Sequence, residues 1–306
     1  MKNRRNKTPS RTARCGVLFP VICLALVAAQ LSAEEGSKNS GQDPTNPVTR
    51  LDIRFQNDLP AFDAYHNEGD NDNQAGTLIL RTDAPIPLGK NAGTLSLRFD
   101  FPMTSQTSAT PGESGTFTFG SAFAQFLHIV PKQWGPKMDG FAWAWGLAAQ
   151  LPTATNGRRK TTFVPMAGAS IPIHPFGKKQ GGSAVIPVLR YFTGPEESQR
   201  DGTLNFDKIN ELHFLPMINF TLPWKGLNFL TLWANYEWQL TFEDGVVNPA
   251  QNSGDYFIPY DVTVGWLLSG GKVVLSATFA GPLASSDGYQ VFDDRFMLRV
   301  GYFFGN

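Results

Sequence analysis

The sequence predicts an all-β fold: a transmembrane antiparallel up-and-down β-barrel of twelve strands, with short periplasmic turns and longer extracellular loops. The first observation behind this prediction is a repeat. Five segments that pair Gly with Lys recur at spacings of 47, 41, 47 and 47 residues, measured between Lys90, Lys137, Lys178, Lys225 and Lys272. Segments rich in Gly and Pro are typical of tight turns, and the even period indicates an array of similar units.

The second and third observations are alternation and composition. Between successive turns lie two runs in which apolar and polar residues alternate, separated by a longer polar loop. Aromatic residues make up 12% of the chain and charged residues 17%, whereas soluble domains carry about 25% charged residues. A barrel explains both, because alternate residues face lipid and the apolar content never forms a continuous run.

The first 33 residues predict a secretory signal peptide. Six basic residues and no acidic residue precede an apolar run at 16–29, and this run is too short to span a bilayer comfortably as a helix. Small residues follow, so cleavage is expected after Ala33 or after Ala29. The alternative interpretation is an uncleaved membrane anchor.

Removing residues 1–33 takes six basic residues and no acidic residue from a chain of zero formal charge, and so leaves a net charge of −6. It also removes both cysteines, Cys15 and Cys23, which excludes a disulfide scaffold, a thiolate nucleophile and a Cys-based metal site. No later stretch offers about 18 consecutive apolar residues, the length expected of a transmembrane helix. Residues 34–49 predict a disordered periplasmic lead, because Gly, Ser, Asn, Asp and Pro dominate it. Residues 50–306 form the predicted barrel.

Alternation with a period of two predicts the individual strands. In the third, Ser96, Arg98 and Asp100 alternate with Leu and Phe, and in the ninth Ala234 and Tyr236 fall on the apolar face. The fifth strand is expected to turn its Trp residues outward. The predicted strands cover 50–56, 76–83, 93–101, 116–129, 141–151, 161–171, 184–192, 209–222, 229–242, 256–267, 273–280 and 295–304.

Connections after odd-numbered strands are predicted to be long and those after even-numbered strands shorter, although 152–160 and 172–183 break this rule. An even strand number then places both termini on the short-turn side, which is the periplasm in outer-membrane barrels. The short turns are basic and the long loops lean acidic. Prolines inside predicted strands remove ladder donors, so some of these strands are expected to begin later or to carry bulges: Pro165, Pro187, Pro216 and Pro259.

Five segments, spread over nearly the whole mature chain, have a recognisable pattern: 46–51, 55–57, 117–120, 146–155 and 299–304. They resemble a family of outer-membrane transporters that is grouped with the barrels of the meta-pathway of phenol degradation. These segments are strand and turn patterns, which indicate fold more than function. The resemblance implies passage of small, aromatic or hydrophobic compounds. One departure is that Gly305 and Asn306 follow Phe304, whereas such barrels end on the aromatic residue that the assembly machinery reads.

Charged side chains on strands whose other face is apolar must point away from lipid, since Arg at the bilayer midplane costs about 2–4 kcal/mol. The candidates for a polar lumen or constriction are Arg81, Asp83, Arg98, Asp100, Arg190, Asn235, Glu237 and Arg299. One interpretation is a constriction that filters solutes; the other is a salt-bridged plug that fills the interior. Both stay open, because twelve strands lie between filled eight-stranded barrels and open porins of 16–18 strands.

The sequence therefore predicts a passive outer-membrane channel for small solutes and no enzyme. Its expected partners are outer-membrane lipids, a small-molecule solute, and the barrel assembly machinery acting on the C-terminal strand. A monomer is expected, without a cofactor, a metal or a nucleic-acid partner.

The sequence leaves two other functions open, a lipid-modifying hydrolase and a soluble binding protein. The histidines, His66, His128, His174 and His213, are scattered without metal-ligand spacing, and His213 would face the lumen with Glu211. A hydrolase that modifies lipids would pair Ser276 with a His on the lipid-facing wall. A soluble six-bladed propeller is the third possibility, since repeats of about 45 residues occur there as well.

Overall fold

The computed structural model describes residues 41, 43–58, 75–106, 116–151, 153, 161–177, 182–194, 197–198, 205–206, 209–224, 226–242, 252–286, 289, 291–292 and 294–304. The predicted signal peptide lies outside the described residues. So do 34–40 and 42 of the predicted lead, and most of the residues in the long connections. No helix in the described part is long and apolar enough to cross a membrane.

Twelve strands build the fold, and their bounds follow the predicted ones closely. The first six are β1 (Arg50–Asp58), β2 (Ala75–Gly89), β3 (Gly93–Gln106), β4 in two segments (Thr116–Phe119 and Phe123–Ile129), β5 (Ala142–Gln150) and β6 (Thr162–Pro172). The other six are β7 (Ala184–Gly194), β8 (Ile209–Trp224), β9 in two segments (Leu227–Leu232 and Trp238–Thr241), β10 (Tyr256–Leu268), β11 (Val273–Ser285) and β12 (Arg295–Phe303). A two-stranded ladder of Glu197–Ser198 with Asn205–Phe206 stands outside this set.

The strands close into a barrel. Each strand pairs antiparallel with the next, and β12 pairs with β1 from Arg50 opposite Phe303 to Asp58 opposite Arg295. Closure leaves no strand with an unpaired edge, which a membrane-spanning sheet requires because lipid offers no hydrogen-bond partners. The predicted twelve-stranded up-and-down barrel is confirmed. The alternative of a six-bladed propeller is wrong, because a single closed sheet replaces separate blades.

Turn chemistry sets the short connections. Gly89, Gly226, Gly270 and Gly271 have φ between 67° and 107°, a region that glycine enters without steric cost. Gly89 ends β2 directly before the turn at 90–92, Gly226 directly precedes β9, and Gly270 and Gly271 lie in the turn at 269–272. The connections 130–141 and 173–183 are longer than the predicted pattern, and the first contains a 3₁₀ turn at Lys132–Trp134.

The four strand prolines are accommodated in different ways. Pro259 lies at a register shift in the β10–β11 ladder, as expected of a bulge. Pro165 and Pro187 lie inside regular strands, where the β6–β7 ladder lacks pairs at 164–165 and 169–170 although its register is the same on either side. Pro187 is opposite Pro216 in the β7–β8 ladder. Only Pro259 therefore lies at a register shift. The other three prolines, Pro165, Pro187 and Pro216, lie inside strands that continue through them.

Two strands break where the sequence predicted continuity. In β4, the three residues 120–122 stand opposite two residues of β3, because Phe119 pairs with Met103 and Phe123 with Asp100. In β9, the residues 233–237 bulge between the pairs Leu232–Ile218 and Trp238–Phe214. Both breaks shift the register of the strand beyond them.

The bulge in β9 turns Tyr236 away from the face on which the sequence predicted it. Tyr236 was expected to face outward, but its hydroxyl donates to Oε1 of Gln56 at 3.0 Å, and Ala234 and Tyr236 both line the lumen. The cause is Asp261, whose Oδ2 accepts the backbone N–H groups of Asn235 at 2.6 Å and of Tyr236 at 3.0 Å. This side chain replaces the ladder at the bulge, where the alternation is interrupted and the four consecutive residues 234–237 all line the lumen.

The rest of the barrel keeps a strict alternation. Large apolar side chains cover the outside, among them Ile53 (47% exposed), Trp145 (54%), Leu147 (47%) and Val300 (51%). An apolar surface of this extent on a closed sheet is typical of contact with lipid. The residues that alternate with them are buried inside and form the walls of the lumen.

Candidate functional site: the lumen wall

Charged residues of β1 and β12 meet around the carboxylate of Asp52. Its Oδ2 lies 3.1 Å from Nη2 of Arg54, 3.0 Å from Nε of Arg299 and 3.5 Å from Nε of Arg50. Alternation places Asp52 and Arg54 on the inner face, two residues apart. Gly301 is opposite Asp52 in the ladder, and a Cβ at this glycine would overlap the Asp52 carboxylate. The glycine thus makes room for the shared anion.

The network continues onto β2 and β3. Oδ2 of Asp83 accepts from Nε of Arg50 at 2.5 Å, and its Oδ1 accepts from Nε of Arg98 at 2.7 Å. Arg81 binds Asp100 through two parallel hydrogen bonds of 2.6 and 2.5 Å. All three ion pairs join ladder partners, since Arg50 is opposite Asp83, Arg81 is opposite Asp100 and Asp83 is opposite Arg98. We name the eight residues the seam network: Arg50, Asp52, Arg54, Arg81, Asp83, Arg98, Asp100 and Arg299.

A second charged cluster lies on β7, β8 and the β9 bulge. Nη1 of Arg190 donates to Oε1 of Glu237. The His213 ring lies between two carboxylates, with Nδ1 2.9 Å from Oε2 of Glu237 and Nε2 2.9 Å from Oε2 of Glu211. The centroids of the His213 and Phe192 rings are 4.1 Å apart. Two anions here surround one guanidinium and one imidazole, and Glu237 joins both.

Asn235 extends the seam network to β10 and β11. Its Oδ1 accepts from Nη1 of Arg54 at 3.4 Å, and its Nδ2 lies 3.1 Å from Oγ1 of Thr263 and 3.3 Å from Oγ1 of Thr278. The bulge of β9 carries this amide into the lumen. Buried polar networks of this kind hold their members in one arrangement, because every lost partner leaves a desolvated group.

The opposite wall is apolar. On β4 to β6 the inward residues include Leu127, Ala144, Ala148, Val164 and Met166, which pack as one cluster. On β7 and β8 a second cluster contains Ala184, Ile186, Val188, Leu215 and Met217. The interior therefore has a charged wall on β1 to β3 and β12, and a largely apolar wall on β4 to β8 that also carries the Arg190–Glu237 cluster.

A cavity of about 140 Å³ lies between the two walls. Its charged side is formed by Arg50, Arg54, Arg81, Arg98, Arg190 and Glu237, and its apolar side by Val188, Leu215, Met217, Ala234 and Met297. Asn235, Tyr236 and Gln56 complete the lining together with Gly41, Pro44 and Ile79.

The chain preceding β1 enters the barrel at the short-turn end. Oγ of Ser170 on β6 donates to Oδ2 of Asp43 at 2.7 Å, and Nη1 of Arg50 donates to the carbonyl of Gly41. Thr45 is 8% exposed, and Val48 packs against a buried cluster of Phe229, Leu267, Val274 and Phe303. Gly41 and 43–49, part of the lead that the composition predicted to be disordered, thus have defined contacts with the inner wall.

This stretch separates two spaces. Gly41 and Pro44 line the central cavity, whereas Asp43, Thr45 and Asn46 line a larger cavity of about 520 Å³ beside Lys132 and Phe141. Its position fits a barrier across the short-turn end of the lumen.

An aromatic cluster lies near the other end. Phe257, Tyr289 and Phe292 pack with Ala280 and contact Tyr236, and the Arg295 guanidinium lies 4.0 Å from the Phe292 ring centre. Tyr289 and Phe292, which lie between β11 and β12 in the chain, are thus buried against the barrel. Burial, with the nearby carboxylates of Glu211 and Asp255, raises the pKa of the Tyr289 hydroxyl above its usual range.

The structure places all eight sequence-predicted lumen residues on the inner side. Five of them belong to the seam network, namely Arg81, Asp83, Arg98, Asp100 and Arg299. Arg190 and Glu237 belong to the second cluster, and Asn235 bonds to Arg54 of the seam network. The sequence reasoning missed Arg50, Asp52 and Arg54, although their alternation with Leu51, Ile53 and Phe55 carried the signal.

Among the described residues, Ser276 does not have the position that a hydrolase on the lipid side requires. Ser276 is 4% exposed and its ladder partners are Gly265 and Arg299, which places it on the inner wall. His128 lies on the outer face beside Trp145, and His66 lies outside the described residues. Within the described part, no three His, Cys, Asp or Glu side chains are grouped so as to hold a metal ion.

These features define a closed transmembrane-type barrel with a lipid-compatible outside and a charged lumen. No family model matches the chain, and no curated protein matches it. Among solved structures, an outer membrane channel from Pseudomonas putida F1 is similar over 89% of this chain and 99% of that chain, with a TM-score of 0.59 and 14% identity. The β domain of the Bordetella autotransporter BrkA is similar over 84% of this chain and 98% of that chain, at 10% identity and a TM-score of 0.45, which is too low to support an argument. The first likeness shows the fold: this chain has the fold of outer-membrane barrels.

Proposed function

We propose that this protein is an outer-membrane channel through which small solutes cross passively. One observation supports the proposal above the others: a cavity bordered by the seam network lies inside a barrel whose outside is apolar. Such an arrangement pairs a lipid-facing band with a polar path, the combination on which outer-membrane channels depend. No catalytic step is assigned to any residue.

The proposal includes a filter. The seam network and the Arg190–Glu237 cluster border the narrow central cavity, so they would select solutes by charge and size. The lead at 43–46 lies between this cavity and the larger one, so a solute crossing the lumen must displace it or pass beside it. The resemblance to transporters of the phenol meta-pathway group favours small aromatic or hydrophobic solutes.

The proposed channel has a definite location and orientation in the cell envelope. The barrel would be inserted in outer-membrane lipids as a monomer, by assembly machinery that reads the last strand. Its short turns would face the periplasm and its long connections the outside, with the signal peptide at 1–33 removed on export.

Fractionation and bilayer recording test the proposal. We expect the protein in the outer-membrane fraction, a faster-migrating band for the unheated sample on a denaturing gel, and discrete conductance steps after reconstitution. A soluble protein without a heat-dependent shift, or a folded barrel without conductance or solute flux, would contradict the channel function.

A further inference from the structure

We propose that the central cavity is a binding site for small organic anions that carry a compact apolar body, such as a ring carboxylate. This inference rests on the channel function proposed above and names the class of solute for it. Three features of the cavity support it: the excess of guanidinium groups, a buried N–H without a partner, and the apolar wall that faces them.

The charge of the lining is one-sided. Five guanidinium groups line the cavity, those of Arg50, Arg54, Arg81, Arg98 and Arg190, against the single carboxylate of Glu237. The aspartates of the seam network bind these arginines from the wall side and do not belong to the lining. Planar guanidinium groups match carboxylates because they offer two parallel N–H donors. The cavity therefore favours an anion.

The guanidinium group of Arg54 has one N–H donor without an acceptor. Arg54 is 5% exposed, its Nη2 lies 3.1 Å from Oδ2 of Asp52, and its Nη1 lies 3.4 Å from Oδ1 of Asn235. Its Nε has no hydrogen-bond partner among the described residues, and neither has Nε of Arg190. Buried donors in proteins are nearly always bonded, so an unbonded one at a cavity needs an explanation. A carboxylate oxygen in the cavity supplies the missing acceptor.

The opposite wall selects the body of the anion. Val188, Leu215 and Met217 present apolar groups to the cavity, and a hydrated inorganic ion would make no favourable contact with them. The volume of about 140 Å³ is several times the ~30 Å³ of one water molecule and below the ~300 Å³ of pockets for drug-sized ligands. A single ring with one carboxylate has the size and polarity that both walls require.

Calorimetric titration of the purified full-length barrel in detergent tests the site with four probes. Benzoate should bind most tightly, because it satisfies both walls. Acetate lacks the ring, benzyl alcohol lacks the charge and benzylammonium reverses it, so each should bind more weakly. Benzylammonium or benzyl alcohol binding as tightly as benzoate would overturn the proposal.

Variants on each wall separate the two contributions. Arg54→Met removes the guanidinium at similar side-chain length and should weaken both benzoate and acetate by about tenfold or more. Leu215→Asn should weaken benzoate and leave acetate unchanged. Lys272→Met removes an exposed cation at a turn and serves as the matched control, with no effect expected. Unchanged benzoate affinity in both wall variants would refute the site.

Gel migration of unheated samples establishes that each variant is still a closed barrel. If Arg54→Met does not close, Leu215→Asn and the four-probe comparison decide the question. Benzoate binding without any conductance would uphold the site and refute the channel. Conductance without preferential benzoate binding would uphold the channel and refute the site.

Discussion

Asp52 on the first strand and Arg299 on the last form a buried ion pair across the seam that closes the barrel, with Oδ2 and Nε 3.0 Å apart. The two side chains are 0% and 2% exposed, and 247 residues of sequence separate them. The pair exists only when β1 and β12 meet. Since Arg50 and Arg54 contact the same carboxylate, one anion serves three cations of the seam.

Asp52→Asn should therefore destabilise the barrel strongly. Removing one partner of a buried ion pair costs about 3–5 kcal/mol, because the remaining charge is left uncompensated. The temperature at which the unheated gel band disappears, and the midpoint of urea unfolding in detergent, should both fall. Asp139→Asn, at an exposed turn position, is the control and should leave both values unchanged. Equal stability of the two variants would show that the seam pair contributes nothing.

Gly265 and Phe229 are ladder partners whose fit is tight. A Cβ at Gly265 would overlap the Phe229 ring, which is 1% exposed. Gly265→Ala should destabilise by about 1–3 kcal/mol, the usual cost of overpacking, and lower the folded fraction in refolding assays. The double variant Gly265→Ala with Phe229→Leu should recover part of this loss. If adding Phe229→Leu lowers the folded fraction further, the steric explanation is wrong.

The lead is held by the hydrogen bond from Ser170 to Asp43. Asp43→Asn and Ser170→Ala should each raise conductance, because the lead then lies less firmly between the two cavities. A bond to a charged group contributes about 1.5–3 kcal/mol, and residues in contact do not act additively. The double variant should accordingly resemble the single ones in single-channel recordings. Additive effects would mean that the two residues act separately.

Ser276→Ala should leave conductance and outer-membrane lipid composition unchanged. The hydroxyl lies on the inner wall, away from lipid, and so has no access to a lipid ester. His213→Ala, tested beside it, should alter conductance through the Glu237 cluster while lipid composition again stays constant. Altered lipid acylation in either variant would revive the hydrolase interpretation.

Leu147→Arg tests the assignment of the outer face to lipid. Leu147 is 47% exposed on β5, and Arg near the bilayer midplane costs about 2–4 kcal/mol. The variant should insert poorly into vesicles and unfold at lower urea concentration. Lys137→Arg, which keeps a cation at an exposed turn, should behave like the parent protein. Normal insertion of Leu147→Arg would place this face away from the membrane.

Strand positions and faces were accessible from the sequence because the alternation of a strand is a local property. Arg98 and Asp100 could be placed inside from their neighbours alone, and the first strand held the same signal for Asp52 and Arg54. Which arginine binds which aspartate was not accessible. The contact of Asp83 with both Arg50 and Arg98 depends on the register of three strands, and nothing local fixes that register.

Two features escaped prediction for another reason. The inward turn of Tyr236 requires Asp261, a residue of the next strand, to take over the backbone N–H groups of the bulge. The contacts of Asp43 and Thr45 arise because the barrel interior offers partners such as Ser170 to a segment whose composition alone predicts disorder. Both depend on groups brought together only by closure of the sheet.

The presence of a charged wall and a largely apolar wall in one lumen affects how transport through the proposed channel has to be measured. Inorganic ions keep to polar surface, because leaving hydration for apolar contact is costly. An uncharged solute that contacts Val188, Leu215 and Met217 would carry no current. For the proposed channel, electrical recording would therefore report only the passage of ions, and liposome swelling in isosmotic solute would be needed to measure uncharged solutes. Small conductance steps would not by themselves mean a small flux of uncharged molecules.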